Sequence, residues 1–160
     1  MKIKVIAVGK IKEKFFKDAI DEYLKRLSSY CDIEIIEVND EAIPDNASIK
    51  VANEIKEKEG NKIISKIKEK DYVISLNLHK KQYDSVEFSK KISNIALKGY
   101  GTIDFIIGGS LGLGENVISH SNEEITLSEM TFTHQMTRII ILEQIYRAYK
   151  IINNETYHKW

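Results

Sequence analysis

Apolar positions along the chain switch repeatedly between a period of two and a period near 3.6. Lys2–Val8 is a short Ile- and Val-rich run that predicts a strand, closed by Gly9. Over residues 12–27, Phe15, Phe16, Ala19, Ile20, Tyr23, Leu24 and Leu27 recur every three or four positions. That spacing predicts an amphipathic helix. Ile33–Val38 reads as a second strand, and Asn39–Ser48, which holds the only proline, Pro44, reads as a loop. Residues 49–69 predict a long helix with Val51, Ile55, Ile63, Ile64 and Ile67 on one side. Within it Glu54 and Lys58 are spaced for an i,i+4 pair, and Gly60 is an interruption that costs about 1 kcal/mol relative to Ala.

Tyr72–Leu76 is a third strand, and residues 85–98 a third helix with Val86, Ile92, Ile95 and Ala96 inward. Ile103–Ile107 is apolar almost throughout and predicts a strand buried on both faces. Ile125–Leu127 is a short fifth strand, and Thr131 or Thr133 caps a last helix running to Ile152. In that helix Met136, Ile139, Ile140, Ile141, Leu142, Ile145, Tyr146 and Tyr149 cover more than one face, which predicts burial against a second subunit as well as the core. The succession predicts one α/β domain over residues 1–160, with a mainly parallel sheet flanked by helices. Ligands in such sheets bind beyond the carboxyl ends of the strands, which singles out the segments after Leu76, Ile107 and Leu127.

Composition narrows the class. With 42% hydrophobic and 30% charged residues the chain has the makings of a globular core rather than of disorder. The single Cys31 excludes an internal disulfide framework and suits a reducing compartment. Lysines interrupt the apolar N-terminus and no run spans a bilayer, so the expected location is the cytoplasm, without membrane contact. No Cys/His cluster has metal-ligand spacing, so no metal is expected. The 24 basic and 24 acidic side chains cancel, which argues against an overall basic coat for nucleic acid. Their distribution is uneven: residues 1–17 carry +5, residues 18–137 carry −7 and residues 138–160 carry +2.

Candidate chemistry concentrates in three places. Gly108-Gly109-Ser110-Leu111-Gly112-Leu113-Gly114 follows the fourth strand directly. It fails the dinucleotide pattern because Val117 stands at the third glycine, and fails the phosphate-loop pattern because Glu115 stands at the lysine. It matches GxSxG, which leaves open a serine hydrolase built on Ser110 with His120, His134 or His158. The second place is the polar loop Leu127–Arg138 leading into the apolar helix, where Glu143 and Arg147 are the charged exceptions, either an internal ion pair or a wall of a site. The third is the tail Tyr157-His158-Lys159-Trp160, whose residues suit stacking on bases, proton handling and phosphate pairing.

Taken together, the strand-GG-loop, LSEMTFTHQMTRIIILEQIYRAYKI, the closing YHK, the opening KIKVIAVGKIKEKF and the stretch around KEKEGNKII resemble the RlmH family of bacterial SPOUT methyltransferases over essentially the whole chain. The resemblance implies a SPOUT-type fold with a C-terminal trefoil knot, a homodimer, S-adenosylmethionine as cofactor and, as target, N3 of a pseudouridine in the large-subunit ribosomal RNA of assembled ribosomes. It places the cofactor on Leu76, Gly108, Gly109, Leu127, Ser128, Glu129, Met130, Thr131 and Phe132, the three segments already singled out. It makes Tyr157, His158 and Lys159 RNA contacts, with His158 the leading candidate for proton handling and Arg138 for stabilising an anion or a phosphate. Two features depart from the family pattern: Thr133 stands where a proline is usual, and Trp160 extends the end. A non-catalytic ribosome-binding protein remains the other alternative.

Overall fold

A computed structural model describes residues 1–159; Trp160 lies outside the described residues. The elements run β1 (Lys2–Val8), α1 (Lys14–Leu27), β2 (Asp32–Val38), α2 (Ile49–Ile64), β3 (Tyr72–Lys81), α3 (Ser85–Leu97), β4 (Thr102–Ile107), α4 (Glu115–His120), β5 (Glu123–Ile125) and α5 (His134–Ile152). The five strands form one sheet in the order β2-β1-β4-β3-β5. Every pairing in it is parallel, so all carboxyl ends share one edge.

Period-two alternation divides the strands between two cores. Ile3, Val5 and Ala7 of β1 and Ile103, Phe105 and Ile107 of β4 face α1, α3 and α5. Ile6, Val8 and Ile106 face α2 and α4, where Ile63, Leu113 and Val117 cover them. Burial on both faces explains why β1 and β4 are near-continuous apolar runs. The exceptions are polar and paired at the amino edge. Lys4 and Asp104 are register partners, and the Lys4 ammonium sits 2.8 Å from Asp71 and 3.4 Å from Asp104.

Several boundaries differ from the sequence reading. Helix α1 starts at Lys14 because Ile11, its N–H donated to Glu37 Oε2 at 3.0 Å, is held outside it. Helix α2 ends at Ile64, where Ser65 turns its hydroxyl back onto the Lys62 carbonyl at 2.6 Å. Gly60 does not interrupt α2: it is the point where α4 packs, and a Cβ there would lie 2.4 Å from the Asn116 side chain. Strand β3 runs five residues past Leu76, through a register shift between Leu76 and Lys81 with His79 at φ 58°. Strand β5 lies two residues earlier than predicted, and the six-residue α4 had no periodicity long enough to be read. Thr133 is the α5 cap, accepting from Met136 N–H at 3.3 Å.

Candidate functional site

The carboxyl edge of the sheet opens into a cavity of about 760 Å3. Three walls bring together the segments after β3, β4 and β5, and the first turn of α5 closes the fourth side. Leu76, Ile107, Leu127, Met130 and Phe132 give it a mainly apolar lining. Of the residues expected to hold a cofactor, Leu76, Gly108, Gly109, Leu127, Ser128, Met130, Thr131 and Phe132 line this cavity. Glu129 is exposed and does not. Sequence reasoning missed Asn77, Leu78, His134, Gln135 and Thr137 in the lining. Their signal was position alone, beyond a strand end and in a helix first turn.

The glycines shape the wall by what they leave out. At Gly108 a Cβ would stand 2.9 Å from the Gly112 carbonyl carbon, so the turn closes only on a bare Cα. Gly112 takes φ 88° and donates its N–H to the Gly109 carbonyl at 3.0 Å. Ser110 is therefore the tip of a tight turn, and the next helix begins only at Glu115. A nucleophile elbow instead runs straight from strand to helix. Among the described residues no hydrogen bond joins Ser110 to a histidine: His120 bonds the Asn116 carbonyl of its own helix, and His158 bonds Arg147. The serine hydrolase reading fails on this geometry.

The loop 127–132 keeps its backbone free. Among the described residues its one hydrogen bond is Met130 N–H to Ser128 Oγ, at 3.0 Å. A loop with so many open donors and acceptors beside an apolar cavity is suited to reading the polar edge of a ligand.

Arg138 is not at the cavity. Its side chain is fully buried, with one terminal nitrogen on Glu37 Oε2 and the other on the Gly9 carbonyl at 2.9 Å and the Val8 carbonyl at 3.3 Å. It ties the ends of β1 and β2 to α5. The expectation that it meets a phosphate or a developing anion is corrected by this burial, because its terminal nitrogens are committed inside the protein.

The tail is docked rather than frayed. Tyr157 donates its hydroxyl to Glu143 Oε1 at 3.0 Å and packs edge-on to Tyr146, ring centroids 5.0 Å apart. Arg147 bridges Glu143 at 2.7 Å and His158 Nδ1 at 3.2 Å, and lies 4.7 Å over the Tyr157 ring. Burial, with Glu143 beside it, pushes the Tyr157 hydroxyl above its ordinary pKa. The Glu143–Arg147 pair is thus internal, and it also presents His158. Lys159 is exposed. Arg147 stands ten residues along α5 from Thr137, about 15 Å at the helical rise. Within one chain the tail and the cavity are therefore apart.

Among the described residues no helix is long and apolar enough to cross a membrane, and no group of three or more His, Cys, Asp or Glu side chains is placed to hold a metal.

Comparison with known proteins gives concordant results. A family model described as Predicted SPOUT methyltransferase matches residues 1–158. Over 159 residues the chain is 57% identical to a Ribosomal RNA large subunit methyltransferase H of Clostridium botulinum, across 99% of this chain and 100% of that one. It is 50% identical, over the same shares, to the protein so named from Clostridium acetobutylicum. Among solved structures, a methylase family protein from Haemophilus influenzae Rd KW20 superposes with TM-score 0.56 at 10% identity, over 99% of this chain and 70% of that one. A methylase family protein from Neisseria gonorrhoeae gives 0.52 at 7%, over 99% and 86%. At such identities the likeness is one of fold.

Proposed function

The chain belongs to the SPOUT methyltransferase family, and from that premise we propose that it methylates a base of large-subunit ribosomal RNA with S-adenosylmethionine. The finer reading takes N3 of a pseudouridine as the target, the assembled ribosome as the substrate, a homodimer as the working form, a knotted C-terminal path and the cytoplasm as the place of action. One observation carries the proposal: the three segments marked by the sequence converge on a single cavity at the carboxyl edge of the sheet.

The residues present fit the cofactor. A cavity of about 760 Å3 with a mainly apolar lining has the size and character of a small-molecule site. Leu76, Leu127, Met130 and Phe132 would enclose an adenine ring, and the largely unbonded backbone of 127–132 would read its edge. When bound, the cofactor supplies an electrophilic methyl carbon on a sulfonium. The chain's own work is to hold the target base in line with that carbon and to manage the N3 proton. His158, presented by Arg147 on the docked tail, reaches a cavity only if a second subunit brings it there, so each site draws its cavity from one protomer and Tyr157, His158 and Lys159 from the other.

Calorimetric titration with S-adenosylmethionine, followed by tritiated methyl transfer to ribosomes and to free ribosomal RNA, tests this directly. Saturable binding and label in large-subunit RNA are expected, with ribosomes preferred. Absence of binding, or binding without transfer to either substrate, overturns it, the latter in favour of a purely ribosome-binding protein.

A further inference from the structure

A second cavity, of about 660 Å3, lies against the first. It is built from the ends of β1 and β2, from α2 and from the start of α5, and it shares Gly109, Ser110, His134 and Gln135 with the cofactor cavity. Its chemistry differs from that of its neighbour. Lys10 and Lys12 stand at its β1 side, Asp40 and Glu41 at its β2 side, and Glu59 reaches in from α2. A polar cleft joined to an apolar one, both at the carboxyl edge of the sheet, is the arrangement of two ligands that must meet.

Glu59 is the unusual member. It is only 5% exposed, yet it has no salt-bridge partner among the described residues. Oε2 accepts the Glu41 N–H at 3.0 Å, while Oε1 has no hydrogen-bond partner among the described residues. The wall in front of it is Gly109: a Cβ there would sit 3.3 Å from Oε1 and 3.6 Å from Oε2. The missing side chain thus leaves a buried carboxylate facing the junction of the two cavities. Burial raises its pKa, the Glu41 N–H and Lys62 oppose the rise, and Asp40 and Glu41 add to it. His134, which lines both cavities, is held below its ordinary pKa by burial and by Arg138.

We propose that this polar cleft seats the target base and that Glu59 takes the proton from its N3. The proposal rests on the methyl-transfer reading above and gives the N3 proton to Glu59 in place of His158, which keeps its part as an RNA contact. In the step, N3 bonds to the methyl carbon while the carbon–sulfur bond breaks, its electron pair staying on sulfur. The N3 proton passes to Glu59 Oε1. A neutral methylated base, a neutral thioether and a carboxylic acid result, and the acid returns its proton to water on release. Lys10 and Lys12 at the mouth pair the flanking phosphates.

Glu59→Gln isolates the proton step, because the amide oxygen still accepts the Glu41 N–H. At saturating cofactor on ribosomes, wild-type kcat rises with pH as Glu59 ionises. In Glu59→Gln, kcat falls by about 100-fold or more and loses that rise, while S-adenosylmethionine affinity and Tm stay at wild-type values. The charged groups that set the profile are Asp40 and Glu41 from the β2 side, Lys10, Lys12 and Glu13 from the β1 side, Lys62 on α2 and His134 on α5. A wild-type kcat and pH profile in Glu59→Gln overturns the proposal, as does a kcat loss matched by lost cofactor affinity. A second measurement does not depend on that variant. Lys12→Cys carrying an arylazide, irradiated on ribosomes without cofactor, crosslinks nucleotides flanking the methylated base. Crosslinks confined to other sites, or none, overturn the seat. If the wild-type protein transfers no methyl group, the reading beneath fails and this inference with it; if it does and Glu59→Gln matches it, this inference alone fails.

Discussion

Asp104 sits fully buried in the middle of β4, among the apolar Ile103, Phe105, Ile106 and Ile107. Burial and the neighbouring Asp71 carboxylate push its pKa up to about 8, against the pull of Lys4. The folded protein therefore holds a proton there that the unfolded chain releases near its ordinary value of 3.8. Stability from this group is full below that value and is lost as pH rises toward 8. Asp71 is shifted the other way: burial opposes ionisation, but the neighbouring Asp104 and the Lys4 ammonium outweigh it, so its contribution is lost only in acid. We expect Asp104→Asn, which imitates the protonated acid, to gain in Tm relative to wild type as pH goes from 5 to 8. A difference that does not change with pH means that Asp104 is ionised throughout. Such residues were poorly legible in the sequence. Arg138, read as a ligand for phosphate, and Glu59, which no pattern singled out, are both buried by neighbours far along the chain, 101 residues away for Arg138 and Glu37. Charge type shows in a sequence; its partner at that separation does not.

At the scale of elements the legibility was higher, because periodicity is a local property. All five strands and the four longer helices were visible from spacing alone, and the strand-end rule then marked the cavity walls. The misses have local causes: α4 is too short for a period to register, and β3 extends through a shift in register that no alternation signals. The α5 start shows how a cap settles an element. Thr133 has φ −61° and ψ 153°, the dihedrals of an N-cap and also those that proline adopts. The usual proline of the family and this threonine thus serve the same turn by different means, one by a fixed φ, the other by a hydroxyl on Met136 N–H. Thr133→Ala has neither device and is expected to cost about 1 kcal/mol, lowering Tm by about 2–4 °C. Thr133→Pro loses the hydroxyl but regains about 0.4–1 kcal/mol from the restricted unfolded chain, so it should melt between alanine and wild type. Thermal melts of the three proteins decide the order; proline below alanine would show that the loop before α5 rejects the ring.

For the whole molecule, the charge pattern and the separated tail lead to the same requirement. The excess positive charge lies at the two chain ends, +5 over residues 1–17 and +2 over residues 138–160, with −7 between. Non-specific affinity grows with the phosphates neutralised, so a neutral protein with small basic patches is a selective rather than a tight RNA binder. Its basic tail and its cavity are moreover about 15 Å apart along α5 in one chain. Large apolar side chains remain exposed beside the cavity, Met130 at 76%, Phe132 at 38% and Met136 at 40%. In the proposed homodimer a second copy packed there would cover them and carry its tail across. The two halves of a site then sit on different chains, which complementation detects. Gly108→Ala spoils the cavity, since the new Cβ would stand 2.9 Å from Gly112; His158→Ala spoils the tail. Each alone is expected to be inactive in methyl transfer. Refolded together at equal amounts, half the dimers are mixed and each mixed dimer has one intact site, so activity returns to about a quarter of wild type. Activity that stays at zero, with mixed dimers demonstrated by mass, means that each chain works with its own tail.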